Sequence, residues 1–148
     1  MSMNQILSGM EISASGLAAE RRRMEVTANN IANINTTKSA DGGAYRRLRV
    51  SFATAMDQYT DPGSGSAEGL RGVRVAAVTP DQSPLPKVHD PGHPDADASG
   101  YVTIPNINLP FEMVDLVTAS RAYEANLKSM ETFRQLAEQS LSLLRGIR

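Results

Sequence analysis

The segment "HDPGHPDADASG" brings His89, Asp90, His93, Asp95 and Asp97 within nine positions, a dense set of possible metal ligands. Asp95, Asp97, Ser99 and Gly100 fall at positions one, three, five and six of a calcium-binding loop. Position twelve, however, is Asn106 where that loop needs a bidentate Glu, and prolines stand where flanking helices belong. The same residues have a plainer use. Asp bonds to backbone two residues on, Pro fixes φ and Gly permits positive φ, so together they fold a turn-rich loop. No metal and no cofactor is expected.

Catalysis finds even less support. Both histidines lie in this one loop, and no serine-containing elbow, HExxH pair or phosphate-cradling glycine motif accompanies them. "GLRGVR", Gly69 to Arg74, lacks the Lys-Ser/Thr ending of a P-loop. Sixteen acidic residues could supply a carboxylate pair anywhere, so their presence selects none. The absence of cysteine removes disulfides, thiolate metal sites and thiol nucleophiles together. The chain does not read as an enzyme.

What remains is architecture. At 148 residues, 41% hydrophobic and 21% charged, the chain has the length and composition of one ordinary domain. Three Phe, four Tyr and no Trp leave few large anchors for a self-contained core, so part of its apolar surface is expected to serve neighbours. A net charge of −1 supplies no general attraction to nucleic acid or to an anionic membrane. No run approaches the roughly 18 apolar residues of a membrane span, and "MSMNQILSGMEISASG" lacks a basic region followed by an apolar block. Neither nucleic acid, membrane insertion nor a cleaved signal is expected.

Residues 2 to about 34 carry a helical pattern, opened by Ser2 and Gln5 at capping-box spacing. Met3, Met10, Leu17, Met24 and Ile31 recur every seven residues, interleaved with Ile6, Ser13, Glu20, Thr27 and Ile34. One half of this seam is apolar and the other is broken by polar groups. A second helix is predicted over 110 to about 145, with Asn108 as cap, Pro110 in the first turn, and Gly146 as its stop. Glu112 and Asp115 near its start, with Arg145 and Arg148 at its end, suit the helix dipole. Its seam runs Met113, Leu116, Ser120, Tyr123, Leu127, Met130, Arg134, Ala137, Leu141, Leu144. The polar breaks in both seams favour an assembly of helices over a lone hairpin, which would bury those groups against each other.

Between the helices lie seven of the eight prolines and eight of the eleven glycines, so no long helix fits there. In "YRRLRVSF", Leu48, Val50 and Phe52 alternate with Arg47, Arg49 and Ser51, the period of a strand with one buried face. "GVRVAAV", Gly72 to Val78, and "GYVTI", Gly100 to Ile104, read likewise. "DPGSGSAEG", Asp61 to Gly69, reads as a surface connection, and "TPDQSPLPKVHDPGHPDADASG" as extended and loop-rich. The fold class is therefore mainly α. Terminal helices, over 1–35 and 108–148, form a coiled-coil-like pair enclosing a small β-and-loop insert, 36–107.

Three features of the helices exceed what packing of a plain amphipath needs. Gly9 and Gly16, seven apart, each cost about 1 kcal/mol relative to Ala, and among so many small neighbours they suggest close approach of another backbone. Arg21, Arg22 and Arg23 form a basic run that is either a solvated face or a contact with acidic residues of a neighbour. "ANNIANINTT" sets Asn29, Asn30 and Asn33 beside the seam and Asn35 where the helix should stop. Amides there can hold the last helical carbonyls, tolerate a left-handed exit and fix register between packed helices.

"SASGLAAERRRMEVTANNIANINTT" resembles the N-terminal signature of bacterial flagellar rod, hook and other axial proteins. "EMVDLVTASRAYEANLKSME" is similar to the matching C-terminal motif, with Arg121, Tyr123, Glu124, Ala125 and Asn126 in its core. "TTKSADGGAYRR", "GVRVAAVTPDQSP" and "DPGHPDADASGYVTIPNIN", with the short length, resemble the proximal rod members of that family. The resemblance implies a structural subunit of the basal-body rod, exported by the flagellar type III apparatus without a cleaved signal. It also implies terminal helices that are poorly ordered in the free subunit and pair into a helical inner tube on assembly. Implied partners are other copies of the chain and the rod and basal-body proteins FlgB, FlgF, FlgG and FliE. Residues matched to the assembly motifs or seams are Met10, Gly16, Leu17, Met24, Asn29, Asn30, Ile31, Asn33, Asn35, Arg121, Tyr123, Asn126, Leu127, Met130 and Leu141. His93, Asp95 and Asp97 are assigned to contacts between outer parts of adjacent subunits. The competing readings are a soluble helical adaptor or export chaperone, and a metal-binding module.

Overall fold

In the computed structural model the described backbone covers residues 3–39, 42–57 and 69–145. Ser2, Gly146, Arg148 and the connection from Asp61 to Glu68 lie outside the described residues, as do the side chains of Met3, Gln5, Leu144 and Arg145. Two long helices, α1 (Met3–Ala32) and α2 (Leu109–Arg145), flank four strands: β1 (Leu48–Asp57), β2 (Gly69–Pro80), β3 (Lys87–His89) and β4 (Tyr101–Thr103). β1 and β2 form one two-stranded sheet and β3 and β4 another.

Each helix ends for a local reason. At the start of α2 the Asn108 side chain accepts the Phe111 amide at 3.3 Å and its carbonyl accepts the Glu112 amide at 3.0 Å, as an N-cap does. Pro110 sits in the first turn, where its missing N–H leaves no bond broken. α1 closes by tightening: the Asn33 amide is shared between the carbonyls of Asn29 and Asn30, and the Ile34 and Thr36 amides bond three residues back. The left-handed exit expected of the asparagines does not occur, since among the described residues only glycines have positive φ. Asn33 instead holds the end through its side chain, donating to the Asn29 carbonyl at 2.9 Å and accepting the Thr36 hydroxyl at 3.1 Å.

β1 begins with the expected alternation, Leu48 and Val50 half-buried and Arg49 and Ser51 exposed, but Phe52 breaks it by being exposed while Ala53 is half-buried. β3 lies in the segment expected to be extended and loop-rich and pairs antiparallel with β4, Val88 opposite Val102. Three residues are too few to display a period of two.

The chain divides into two compact units. The first comprises Met1–Arg22, Phe52–Ala76 and Ala119–Arg148; the second comprises Arg23–Ser51 and Ala77–Thr118. In the first unit the buried side chains are mostly small: Ser13, Ala19 and Ala119, with Ile6 the largest. Ser13 satisfies its hydroxyl by donating to the Gly9 carbonyl one turn back, at 2.9 Å. In the second unit Val26, Thr27, Asn30, Val102 and Glu112 are buried, and the two largest fully buried side chains, Asn30 and Glu112, are both polar. Along α1 the polar-interrupted half of the seam is thus the one turned inward. Met10, Leu17, Met24 and Ile31 are half-buried.

Candidate assembly surface

In the second unit the end of α1, the start of β1 and the first turns of α2 meet at one side chain. Asn30 donates from Nδ2 to the Leu48 carbonyl at 2.9 Å and to Glu112 Oε2 at 3.0 Å. Its Oδ1 accepts the Leu48 amide at 2.8 Å and the Tyr45 hydroxyl at 3.2 Å. All four hydrogen-bonding positions of the amide are filled, and its orientation is forced, because the Leu48 carbonyl and the Glu112 carboxylate can only accept. Asn30 therefore pairs with Leu48 as a neighbouring strand would, using a side chain as a peptide group.

Glu112 completes the arrangement. Its Oε1 accepts from Arg47 Nε at 2.5 Å, and Arg47 reaches on to Asp115 at 3.3 Å, where Arg23 also bonds at 3.2 Å. Arg47 is itself fixed through its backbone, since its amide donates to Asn106 Oδ1 at 2.9 Å. Burial and the Glu112 charge hold the Tyr45 hydroxyl above its ordinary value of 10.0, so it donates throughout the physiological range. Arg23, from the basic run, faces this network, while Arg21 and Arg22 are exposed.

The first unit joins its helices differently. A side-chain carbon added to Gly9 would lie 2.6 Å from the tip of the Phe133 ring, and one added to Gly16 would lie 2.9 Å from the Asn126 amide. The glycines thus admit close approach, by side chains of α2. Ser15 ties α1 to β2: its Oγ donates to the Ile12 carbonyl at 2.7 Å and accepts the Val73 amide at 3.1 Å. This places the helix against Gly72, whose φ of 114° and contact with Ser15 and the Ile12 backbone leave no room for a side chain.

Of the residues assigned to assembly, Asn30 is inside the second unit and Gly16 and Asn126 face each other inside the first. Tyr123 and Met130 are half-buried; Asn29, Asn35, Arg121, Leu127 and Leu141 are exposed. Leu127 and Leu141 are 39% and 50% exposed, and Leu7 and Ile12 on α1 reach 52% and 42%. Glu112, Arg47 and Tyr45 carry the second unit yet escape sequence reading: Glu112 reads as a dipole partner, Arg47 as the outer face of a strand. Pairing across 65 positions leaves no local signal.

The acidic loop folds on its own backbone. Asp97 accepts the amides of Ser99 and Tyr101, Asp90 that of Gly92, and His93 Nδ1 that of Asp95. Asp95 also accepts the Thr37 hydroxyl at 2.7 Å. Among the described residues no three His, Asp or Glu side chains converge as metal ligands would, and no helix is long and apolar enough to cross a membrane. His93 instead borders an open cleft with Asn35, Ile34, Val88 and Ile104.

Comparison with known proteins identifies the kind of assembly. Residues 10–38 match the family model for flagella basal body rod proteins, and residues 98–143 match that for the C-terminal region of flagellar basal body rod FlgEFG proteins. The flagellar basal-body rod protein FlgC of Borreliella burgdorferi is 41% identical, covering 95% of this chain and 99% of its own. The chain belongs to the FlgC family of flagellar basal-body rod proteins. FlgC of Salmonella typhimurium is 38% identical over 93% of this chain and 97% of its own, and that of Bacillus subtilis 37% over 90% and 95%. As a FlgC-family member the chain is a structural subunit of the basal-body rod. The Asn-rich end of α1 lies within one matched region, and the Glu112 end of α2 within the other.

Proposed function

We propose that the subunit acts mechanically and without catalysis. Its terminal helices, within 1–35 and 108–148, pair in coiled-coil fashion and pack with those of neighbours as an inner helical tube, while the 36–107 insert lies outside. Torque passes through the many apolar contacts so formed. Neighbours would be other copies of the chain and the rod and basal-body proteins FlgB, FlgF, FlgG and FliE, reached through the type III export apparatus. His93, Asp95 and Asp97 would contribute outer contacts.

The observation that carries this reading is the exposure of Leu7, Ile12, Leu127 and Leu141 on the two helices. Large apolar side chains left exposed to water contribute little to the single chain, whereas burial between helices is worth roughly 1.5–3 kcal/mol each. Support also comes from the pairs within each unit. Gly9 lies against Phe133 and Gly16 against Asn126, a step of seven along α1 answered by a step of seven back along α2. In the second unit the contact between the same two helices is the Asn30–Glu112 hydrogen bond, at 3.0 Å.

Leu127→Asp tests the reading. Because Leu127 is exposed, the free subunit should keep its stability within about 0.5 kcal/mol. In the tube it would bury an unpaired charge. Loss of rods and of swimming with an unchanged monomer melting curve is expected; normal rods would remove the helical tube from the proposal.

A further inference from the structure

We infer that the outward face of the first turns of α2 is a second contact surface, and that its occupant is the apolar cleft beside β3 and β4 of another copy of the chain. The inference rests on the reading that copies meet in the rod. It names a contact outside the helical tube, in which the start of α2 in one copy meets the insert of the next, with Phe111 as its anchor.

The face is defined by helical spacing. Glu112 is buried and Asp115 and Leu116, three and four residues on, are half-buried, so they mark the inner side of α2. Leu109, Met113 and Val117, at steps of four, and Phe111 and Val114 between them stand on the other side, 39%, 55%, 52%, 70% and 63% exposed. Asn108, Pro110 and Thr118 are exposed with them, so the outward residues from 108 to 118 include no charge. Large side chains exposed to that degree make a patch on the order of 500 Å², as much as a monomer ordinarily leaves in water. A stable pair of proteins buries roughly 800 Å² on each partner, so this patch holds a neighbour only where further contacts keep it in place. Copies packed in a rod meet that condition.

The cleft has the complementary character. It measures about 450 Å³, and Ile34, Val88, Val102, Ile104 and Ile107 line it. The polar groups at its rim are engaged within the unit: the Thr37 hydroxyl donates to Asp95, Asp90 accepts the Gly92 amide and His93 Nδ1 accepts the Asp95 amide. What enters need therefore bring no charge. Phe111, the most exposed large apolar side chain among the described residues, meets that demand as an aromatic anchor in an apolar pocket. Stripe and cleft are different surfaces of one compact unit, so the contact runs head to tail and can repeat from copy to copy.

The test is made in assembled basal bodies, with Phe111 replaced by the photoreactive p-benzoylphenylalanine, which keeps an aromatic ring at the site. Val114 is the second probe position, for use if the first chain forms no rods. Illumination should join two copies of the chain, and the cross-linked peptide of the second copy should come from residues 87–107. Val88 is 46% exposed, so Val88→Asp should leave the subunit's own fold intact. It should nonetheless lower the yield of that product per assembled subunit at least about tenfold, because the contact would bury an unpaired charge. A cross-link to a different protein, to the helices of a second copy, or within one chain would overturn the inference. So would the absence of any cross-link, or a yield unmoved by Val88→Asp. The tube can fail alone: if Leu127→Asp left rods normal, position 111 would still report its own neighbour.

Discussion

Where Asn30 meets Glu112 the helices are joined through polar groups, 1% exposed, whose every bond has one geometry; where Gly9 meets Phe133 they are joined by the absence of a side chain. The first kind of contact is costly to break and intolerant of substitution. The second is shallow and adjustable, and it leaves leucines available to other helices. Substitutions in the two regions should therefore differ in size and in reach.

The largest effect is expected in the Asn30–Glu112 cluster. Glu112→Ala would leave Arg47 Nε and one Asn30 N–H without their acceptor, and we expect a loss of about 2–4 kcal/mol by denaturant unfolding. Arg47 keeps Asp115 and is partly solvated, which holds the figure below that of a fully buried pair. A loss under about 0.5 kcal/mol would mean that the network is not stabilising, and the contrast between the regions would collapse.

Next comes Gly72→Ala, in the first unit. The φ of 114° is strained for any L side chain, and the added carbon would collide with Ser15 and meet the Ile12 backbone. A loss of about 2–3 kcal/mol is expected, with Ser15→Ala in the same chain relieving part of it. The glycines of α1 should behave more mildly. Alanine gains about 1 kcal/mol of helix propensity at either position. At Gly16 the obstacle is the end of the flexible Asn126 side chain, so Gly16→Ala should come out within about 0.5 kcal/mol of neutral. At Gly9 a rigid ring must move, and Gly9→Ala should cost about 1 kcal/mol net. Equal effects at both would show that the approach of α2 is set by backbone and not by those two side chains.

Sequence periodicity locates both helices to within a few residues, the Asn108 cap and three of the four strands, because those features are written in neighbouring positions. It also separates the two halves of the α1 seam, but not which half faces inward. An apolar row reads as core by default. Here Met10, Leu17, Met24 and Ile31 are only half-buried, and the small and polar row is buried because Ser13 bonds its own helix and Asn30 finds four partners. Those partners come from residues 45, 48 and 112, and a satisfied buried amide looks in sequence like any exposed one. The glycines are legible as a sign of close approach; what approaches them is not.

The smallest effects are those of pH, and they fall on the second unit alone among the groups with a clear shift. The Ser83 hydroxyl, then the Ser83 amide, hold the Asp81 carboxyl below its ordinary 3.8, with Arg49 and Arg47 adding to it. The Tyr101 and Ser99 amides do the same for Asp97. A carboxyl whose folded value is depressed binds fewer protons in the folded than in the unfolded chain. Its contribution is complete above the ordinary value and lost as pH falls through the folded one. Tyr45 acts at the other end: its raised value means the folded chain keeps the proton longer, so that contribution is whole below 10.0 and lost as pH climbs beyond it. Between these limits these three groups leave stability flat. Asp81→Asn and Asp97→Asn keep an acceptor but no charge, and should flatten the acid limb of the unfolding midpoint below pH 3.8 while leaving the alkaline limb in place. Tyr45→Phe should do the reverse. If the doubly substituted chain kept the full acid limb, these two carboxyls would not be its source.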